Sequence, residues 1–184
     1  MKKILFLLVV VSITSTLMYG QDSMFKKGDK DLNIGIGLGS TLYTGSLYKA
    51  SVPPVSASFE VGIKDNVLTK GSIGIGGYLG YTAYKWTYLD WGYKYSSFII
   101  GPRGVFHYPL VKKLDTYTGI FLGYNIISSK EFGVSNGYPY NASGGTVAWS
   151  WFIGARYYLK DKFGFMAELG YGISWINLGI TLKL

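Results

Sequence analysis

The sequence predicts a closed, eight-stranded transmembrane β-barrel, and its residue alternation carries that prediction. From Leu32 onward, large aliphatic residues such as Ile34, Ile36 and Leu38 alternate with asparagine or glycine. The alternation recurs, segment after segment, to the final residue Leu184. A chain that keeps one apolar face and one small or polar face on every strand is typical of a membrane barrel. The even strand count and the order of its connections agree with this class.

The first twenty residues predict a secretory signal peptide. Lys2 and Lys3 form a positive start, and an unbroken apolar run follows from Ile4 to Val11. This run is shorter than the ~20 residues that a spanning helix needs. We therefore expect cleavage after Gly20 rather than a retained anchor. The expected division is a signal peptide over 1–20, a short N-terminal periplasmic segment over 21–31 and the barrel over 32–184.

The charge balance and the missing cysteines exclude several classes of protein. Cleavage removes two of the 18 basic residues, so 16 basic and 10 acidic residues remain, a balance of +6. Without cysteine, the chain has no lipid-modified cysteine, disulfide or thiolate metal site. No basic run exceeds two residues, which argues against nucleic acid binding. We expect a single domain and a monomer.

The period-two pattern predicts eight strands, an even number as in single-chain bacterial barrels. The predicted strands cover 32–43, 54–63, 71–84, 93–108, 114–128, 146–159, 163–171 and 176–184.

The connections between these strands predict the orientation. Short, charged connections are typical of the periplasmic side and longer ones of the outside. The short ones are 64–70, 109–113 and 160–162, and the longer ones, rich in Tyr, Gly, Ser and Pro, are 44–53, 85–92 and 129–145. The fourth outer loop, 172–175, is tight. Both termini then lie in the periplasm.

Side-chain volume predicts which face meets lipid, because an eight-stranded barrel is only just wide enough to be filled by side chains. The bulky residues must therefore point outward. The predicted lipid-facing residues are Val55, Ala57, Phe59, Val61 and Ile63 on the second strand and Ile176, Leu178, Ile180, Leu182 and Leu184 on the eighth. The predicted inward residues are Ser56, Ser58, Glu60, Gly62, Asn177, Gly179, Thr181 and Lys183.

Charged residues at the inward-facing positions of the predicted strands predict a charge network in the lumen. These residues are Glu60, Arg103, Arg156, Glu168 and, lower on the eighth strand, Lys183. Isolated charges in a narrow lumen would be costly, so we predict a paired, hydrogen-bonded layer that plugs the barrel. The alternative is a gate, in which the pairs exchange partners to open a conduit. The sequence does not assign the partners, because it does not give the strand stagger.

The five tryptophans fall near predicted outer strand ends, which predicts an interfacial aromatic girdle. The alternative is an aromatic platform that binds sugars or exposed bases. The candidate outer-loop interaction residues are Trp86, Tyr88, Trp91, Tyr138 and Tyr140.

The sequence predicts no catalytic, metal or cofactor site. A lipid-remodelling hydrolase needs a base beside a serine nucleophile near the outer leaflet. The only histidine, His107, falls at the periplasmic end of strand four, so it is predicted to be a girdle residue or a hydrogen-bonding lumen residue. One histidine and no cysteine leave only scattered carboxylates for a metal. The glycines recur with period two and lack the spacing of a phosphate-binding loop.

Three segments of the closing region carry a family resemblance: Ala155-Arg156-Tyr157-Tyr158, the run over 163–172 and the run over 176–180. Together with Gly101-Pro102-Arg103-Gly104 and the His107 that follows, they resemble the outer-membrane protein β-barrel domain family. The resemblance implies a small barrel in a Gram-negative outer membrane, with Arg156 and Glu168 at inward charged positions. The terminal Leu184 is a departure, because many such barrels end in an aromatic residue.

These observations predict a non-enzymatic outer-membrane barrel with a plugged polar lumen and an envelope-structural or surface-loop role. The alternative function is a narrow channel for ions, water or small solutes, and enzymatic lipid remodelling comes third. A soluble ligand carrier would need an apolar interior and a polar exterior, the reverse of this pattern. The expected partners are outer-membrane lipid and lipopolysaccharide, with an unidentified ligand or partner at the surface.

Overall fold

The computed structural model describes residues 23–43, 46–133, 141–170 and 172–184, which form eight antiparallel strands. The strands are β1 (Lys30–Ser40), β2 (Tyr48–Val67), β3 (Gly71–Tyr88), β4 (Trp91–Val111), β5 (Leu114–Phe132), β6 (Asn141–Lys160), β7 (Phe163–Gly170) and β8 (Ser174–Lys183). Each strand pairs with the next, and β1 pairs with β8 to close the ring. The predicted fold class is confirmed. The predicted signal peptide, 1–20, lies outside the described residues.

The described residues contain no helix that is long and apolar enough to cross a membrane.

The two ends of the barrel differ in their connections. At one end, which we call the turn end, the tight connections 68–70, 112–113 and 161–162 lie beside the start of β1 and the end of β8. At the other end, the loop end, β3 and β4 are joined by Leu89 and Asp90 alone, and the other connections are longer. β2, β4 and β6 extend further at both ends than the sequence predicted, whereas β1 ends at Ser40, three residues before the predicted end.

The side chains alternate across the barrel wall as predicted. On β2, Ser56, Ser58 and Glu60 are buried inside, whereas Val55 and Phe59 are exposed on the outside. The outward apolar residues of all strands form one continuous surface, which we call the apolar belt. On β4 it spans twelve residue steps from Phe98 to Leu110, or about 28 Å for ~3.3 Å per residue and a ~45° tilt. This height is close to the ~25 Å apolar band of membrane barrels.

Five strands continue beyond the apolar belt at the loop end. The prediction that 85–92 is an outer loop is wrong. These residues belong to β3 and β4, except for Leu89 and Asp90, which form the hairpin turn. The predicted strands stop where the aliphatic alternation ends. The hydrogen-bonded ladder continues, since cross-strand aromatic pairs such as Tyr84 with Tyr95 and Trp86 with Tyr93 support it. We call the loop-end parts of β2 to β6 the outer extension (48–53, 83–88, 91–97, 127–132 and 141–147).

Glycines on the inner face of β3 leave room for larger side chains from other strands. A Cβ atom on Gly76 would overlap the carbonyl oxygen of Phe59, and one on Gly74 would overlap the Glu60 carboxylate. A Cβ atom on the outward Gly77 next to them would have no neighbour within 4 Å. Gly74 therefore makes space for the Glu60 carboxylate, whereas Gly76 allows the close approach of the β2 backbone.

Candidate functional site

The turn-end half of the lumen holds a cluster of buried charged side chains, which we call the lumen network. Its members come from six of the eight strands, and Glu168, 7% exposed, is the least buried. They are Asp31, Glu60, Arg103, His107, Asp115, Arg156 and Glu168.

Arg156 on β6 lies at the centre of the lumen network. One guanidinium nitrogen, Nη2, donates to Glu60 Oε2 at 2.7 Å. The other, Nη1, donates to Asp31 Oδ2 and Asp115 Oδ2, both at 3.1 Å. The Arg156 side chain is fully buried, and its Cζ atom lies 4.5 Å from the centre of the Tyr117 ring. A single cation therefore joins carboxylates from β1, β2 and β5 across the barrel interior.

His107 on β4 connects two of the same carboxylates. Its Nδ1 lies 2.9 Å from both carboxylate oxygens of Asp115, and its Nε2 contacts Glu60 Oε1. Both ring nitrogens face carboxylate oxygens, and this arrangement favours the doubly protonated imidazolium form of the ring. A histidine held on both sides in this way has no free nitrogen to act as a catalytic base.

A second group of the lumen network lies around Glu168 on β7. Its Oε1 accepts hydrogen bonds from Arg103 Nη2 at 2.7 Å and from the Tyr117 hydroxyl at 2.9 Å. Arg103 also stacks on Phe152, with its Cζ atom 4.2 Å from the ring centre. Tyr117 touches both groups, because its ring packs on Arg156 while its hydroxyl binds Glu168.

The lumen network brings acidic and basic side chains together in similar numbers. Four carboxyl groups face two guanidinium groups and the His107 ring. The Tyr158 hydroxyl donates to Asp31 Oδ2 at 2.6 Å. Paired and hydrogen-bonded in this way, buried charges are tolerated in a low-dielectric interior.

Lys183 lies opposite Asp31 on the neighbouring strand, but its ammonium group is not paired with a carboxylate of the lumen network. Its ammonium group lies 2.6 Å from Asp29 Oδ2 and donates to the Met24 carbonyl at 2.5 Å. Both partners of this ion pair are partly exposed at the turn end. Of the five charged residues that the sequence singled out, four therefore meet in the lumen and Lys183 instead binds the N-terminal segment.

The N-terminal segment, 23–29, closes the turn end of the lumen. Phe25 is fully buried and stacks on His107, with ring centres 4.1 Å apart. Its carbonyl accepts a hydrogen bond from Ser72 Oγ at 2.7 Å. Backbone hydrogen bonds at 2.9 Å join Gly28 and Asp29 to Gly62 on β2. An aromatic plug thus lies directly beneath the charged layer.

A cavity of about 200 Å³ lies on the loop-end side of the lumen network. Apolar side chains, including Ile99, Phe121 and Phe152, form much of its wall. Arg103 and Glu168 close its floor, so the network separates this cavity from the turn end.

Several residues of the lumen site were missed by the sequence analysis: Phe25, Asp31, Asp115, Tyr117 and Tyr158. Asp115 lies within a predicted strand, two residues from Tyr117 and on the same inward face. The alternation of the strand could therefore have predicted that Asp115 points into the lumen. Asp31 shares the parity of Asn33 but lies one residue before the predicted first strand. Phe25 belongs to a segment without periodicity, so no sequence pattern indicates its place.

The candidate interaction residues at the loop end lie on strands rather than in a loop. Trp86, Tyr88 and Trp91 belong to the outer extension, on the side that continues the lumen-facing surface. Trp86 and Trp91 pack edge to face at 5.7 Å, and the Trp91 indole donates to Glu131 at 2.5 Å. Tyr88 is 60% exposed. The remaining two candidates, Tyr138 and Tyr140, lie outside the described residues.

The predicted tryptophan girdle divides into two groups. Trp149, Trp151 and Trp175 point outward, where each is more than half exposed. Trp86 and Trp91 lie further out, in the outer extension, and pack against each other.

Among the residues that the structure describes, no group of three or more His, Cys, Asp or Glu side chains has an arrangement that could hold a metal ion. Arg156 occupies the space between the lumen carboxylates and provides their positive charge.

No family model matches the sequence, and no curated protein matches it either. Among solved structures, the chain is similar to Ail of Yersinia pestis in complex with the heparin analogue sucrose octasulfate, with a TM-score of 0.51 at 11% identity. That match covers 85% of this chain and 95% of Ail.

Two further solved structures, both from Pseudomonas aeruginosa, are similar to this chain. The N-terminal β-barrel domain of OprF has a TM-score of 0.45 at 15% identity, covering 86% of this chain and 98% of that one. The outer membrane protein OprG has a TM-score of 0.47 at 12% identity, covering 89% and 99%. The similarity to Ail establishes the fold, which is that of the small eight-stranded outer-membrane barrels, as the sequence resemblance implied.

Proposed function

We propose that this protein is a non-enzymatic barrel of a Gram-negative outer membrane, in which the lumen is permanently closed and the protein acts through its anchored wall and its outer surface. The observation that carries the proposal is the Arg156 centre, where one buried guanidinium binds three carboxylates from three strands. Opening a path there would separate buried charges, which costs several kcal/mol for each broken pair.

The apolar belt supports the membrane location. Ile120 and Leu122 on β5 are 63% and 58% exposed, and Trp149 on β6 is 62% exposed. A contiguous apolar surface of this kind is unfavourable in water and favourable in lipid. The short turns at the turn end support a periplasmic position for that end, so the outer extension projects from the cell.

Phe25 and the lumen network support a closed lumen at two successive levels. The ring of Phe25 lies beneath His107, and Arg103 with Glu168 separates the upper cavity from the layer below. A narrow channel for ions, water or small solutes is the alternative function. It would require both levels to open together.

The burial of His107 supports a non-enzymatic role. Its side chain is inaccessible, and both of its nitrogens are engaged by carboxylates. A lipid or solute could therefore reach the histidine only by displacing Phe25 from the turn end or the Arg103–Glu168 pair from the loop end.

Labelling of single cysteines in intact cells tests the proposed location and orientation, since the natural chain has no cysteine. Tyr88→Cys lies at the loop end and Lys112→Cys in a turn-end hairpin, and both positions are exposed. A membrane-impermeant maleimide should label the first in intact cells and the second only after the outer membrane is opened. Equal labelling of both in intact cells would contradict the proposed orientation.

Stopped-flow light scattering of protein-containing vesicles tests the closed lumen for water and small neutral solutes. Vesicles that contain the wild-type protein should shrink and recover at the rate of protein-free vesicles after an osmotic step with glycerol. A protein-dependent acceleration of either phase would favour the channel alternative.

A further inference from the structure

Four lysines form a straight row across four neighbouring strands of the outer extension. The strand register places Lys49 on β2 opposite Lys85 on β3, Lys85 opposite Lys94 on β4, and Lys94 opposite Lys130 on β5. Neighbouring strands lie about 4.8 Å apart, so the row is about 14 Å long. We call these four residues the lysine row.

The lysine row points away from the lumen. The neighbouring residues Tyr84 and Tyr95 face the concave side, where both rings pack on Tyr43. Successive side chains of a strand point to opposite faces, so Lys85 and Lys94 are on the outer surface.

This arrangement is unfavourable for the isolated protein. Like charges directly opposite each other on neighbouring strands destabilise a sheet, and the row contains three such pairs in succession. The ion pairs of the described residues include none of the four lysines. The segments 44–45 and 134–140 contain no acidic residue that could neutralise them. The positive charge is therefore available for an anion from outside the chain.

The surface below the lysine row changes in steps toward the apolar belt. The next row inward contains the hydroxyls of Ser96 and Ser128, which are opposite each other on β4 and β5. The row below that is apolar, with Phe98 opposite Ile126. The serines and three of the lysines line a shallow groove on the outer surface. Ammonium groups and hydroxyls together supply the donors that phosphate oxygens accept.

The height of the lysine row matches the headgroup layer of a membrane. Lys94 is four residues from Phe98 at the top of the apolar belt, or about 9 Å along the barrel axis with ~3.3 Å per residue and a ~45° tilt. The headgroup regions extend several ångströms beyond the hydrocarbon on each side. Basic side chains at this level attract anionic lipid headgroups.

We propose that the lysine row is a binding site for the phosphate groups of the anionic lipid that surrounds the barrel in the outer leaflet. This inference rests on the proposed membrane location and orientation, and it gives the predicted lipid partner a specific site. The row faces sideways at headgroup height, which favours a membrane lipid over a soluble sulfated polymer.

Native mass spectrometry of the detergent-solubilised full chain tests this site by titration with lipid A that carries two phosphates. Dephosphorylated lipid A tests the role of phosphate, and sucrose octasulfate tests a soluble polyanion. The test variant replaces Lys49, Lys85, Lys94 and Lys130 with glutamine. The matched control replaces four exposed turn-end lysines, Lys64, Lys112, Lys160 and Lys162, and changes the net charge equally. A third variant replaces the lysine row with arginine.

The wild type should bind phosphorylated lipid A at least tenfold more tightly than the dephosphorylated form. Each Lys→Gln change should weaken binding about fivefold, which corresponds to ~1 kcal/mol per basic residue at a membrane surface. The quadruple glutamine variant should therefore lose at least a hundredfold, whereas the turn-end control and the arginine variant retain the wild-type affinity. An unchanged far-ultraviolet circular dichroism spectrum establishes that each variant is folded.

Equal binding by the wild type and the glutamine variant would overturn the inference, as would binding that does not depend on phosphate. Tight binding of sucrose octasulfate without lipid A would also overturn it and assign the row to a soluble polyanion. The cysteine labelling is independent of these results. If the labelling gives the expected pattern while lipid A binds all variants alike, the proposed lipid site is rejected and the proposed location and orientation are kept.

Discussion

Replacement of Arg156 by methionine should destabilise the barrel strongly. Methionine approximates the volume of the arginine stem but leaves Asp31, Glu60 and Asp115 without their common cation. Removing one partner of a buried ion pair costs about 3–5 kcal/mol, because the remaining charge is left without compensation. His107 still binds two of these carboxylates. We therefore expect a loss within that range rather than a multiple of it.

The free energy of unfolding of Arg156→Met is measured by urea titration in lipid vesicles, with tryptophan fluorescence as the signal. Lys183→Met is the matched control, because the Lys183–Asp29 pair lies at the rim with both side chains at least 20% exposed. An exposed pair contributes about 0–1 kcal/mol. A loss for Arg156→Met that is no larger than that of Lys183→Met would refute the reasoning.

Two further measurements identify charge as the cause of the Arg156→Met effect. Lowering the pH from about 7 to about 4 protonates carboxylates that lack a cation, so the deficit of the variant relative to the wild type should shrink. Adding Glu60→Gln to Arg156→Met removes one uncompensated charge and should restore part of the stability. A deficit that does not change with pH would indicate lost packing instead.

Three other predictions concern the wall and the plug. Ile120→Lys places a charge at the middle of the apolar belt and should lower the free energy of unfolding in vesicles by about 2–4 kcal/mol. Leu110→Lys at the edge of the belt should lower it by about 0–1 kcal/mol. Equal losses would argue against a bilayer around the belt. Gly76→Ala should lower the free energy of unfolding by about 1–3 kcal/mol, since its Cβ would overlap the Phe59 carbonyl. Gly77→Ala, where a Cβ has no neighbour within 4 Å, should change it by at most about 0.5 kcal/mol. Urea titration of both variants tests the difference. Phe25→Ala should release the N-terminal segment from β2, so that trypsin cleaves after Lys26 and Lys27, whose side chains are already exposed. Phe25→Leu should stay protected. Mass spectrometry identifies the cleaved peptides, and equal cleavage of both variants and the wild type would show that Phe25 does not hold the segment.

The wall of the barrel was predictable from the sequence, because an apolar outer face and a crowded polar lumen give every strand two different faces. Val55 and Phe59 outside, with Ser56 and Glu60 inside, follow from parity alone. The outer extension was not predictable in this way. Beyond the apolar belt the hydrophobic contrast between the two faces ends, while backbone pairing continues through Tyr84, Tyr95 and their neighbours.

The partners within the lumen could not be predicted, because they depend on the stagger of the strands around the closed ring. Glu60 and Arg156 are 96 residues apart and come from β2 and β6, so only the closed barrel brings them together. Phe25 presents a different difficulty. Its segment has no periodicity, and its position is determined by the space beneath His107 and by backbone hydrogen bonds to Gly62.

Recording of single-channel current in planar lipid bilayers tests most directly whether the lumen is closed. The wild-type protein should give no discrete current steps. The triple variant Phe25→Ala/Arg103→Ala/Arg156→Ala should conduct, because it lacks the aromatic plug, the cation at the cavity floor and the central cation. The conducting triple variant also shows that the recording detects an open barrel of this size. Discrete wild-type currents that change in Arg103→Ala or Glu168→Ala would contradict a closed lumen and establish the charged residues as elements of a channel.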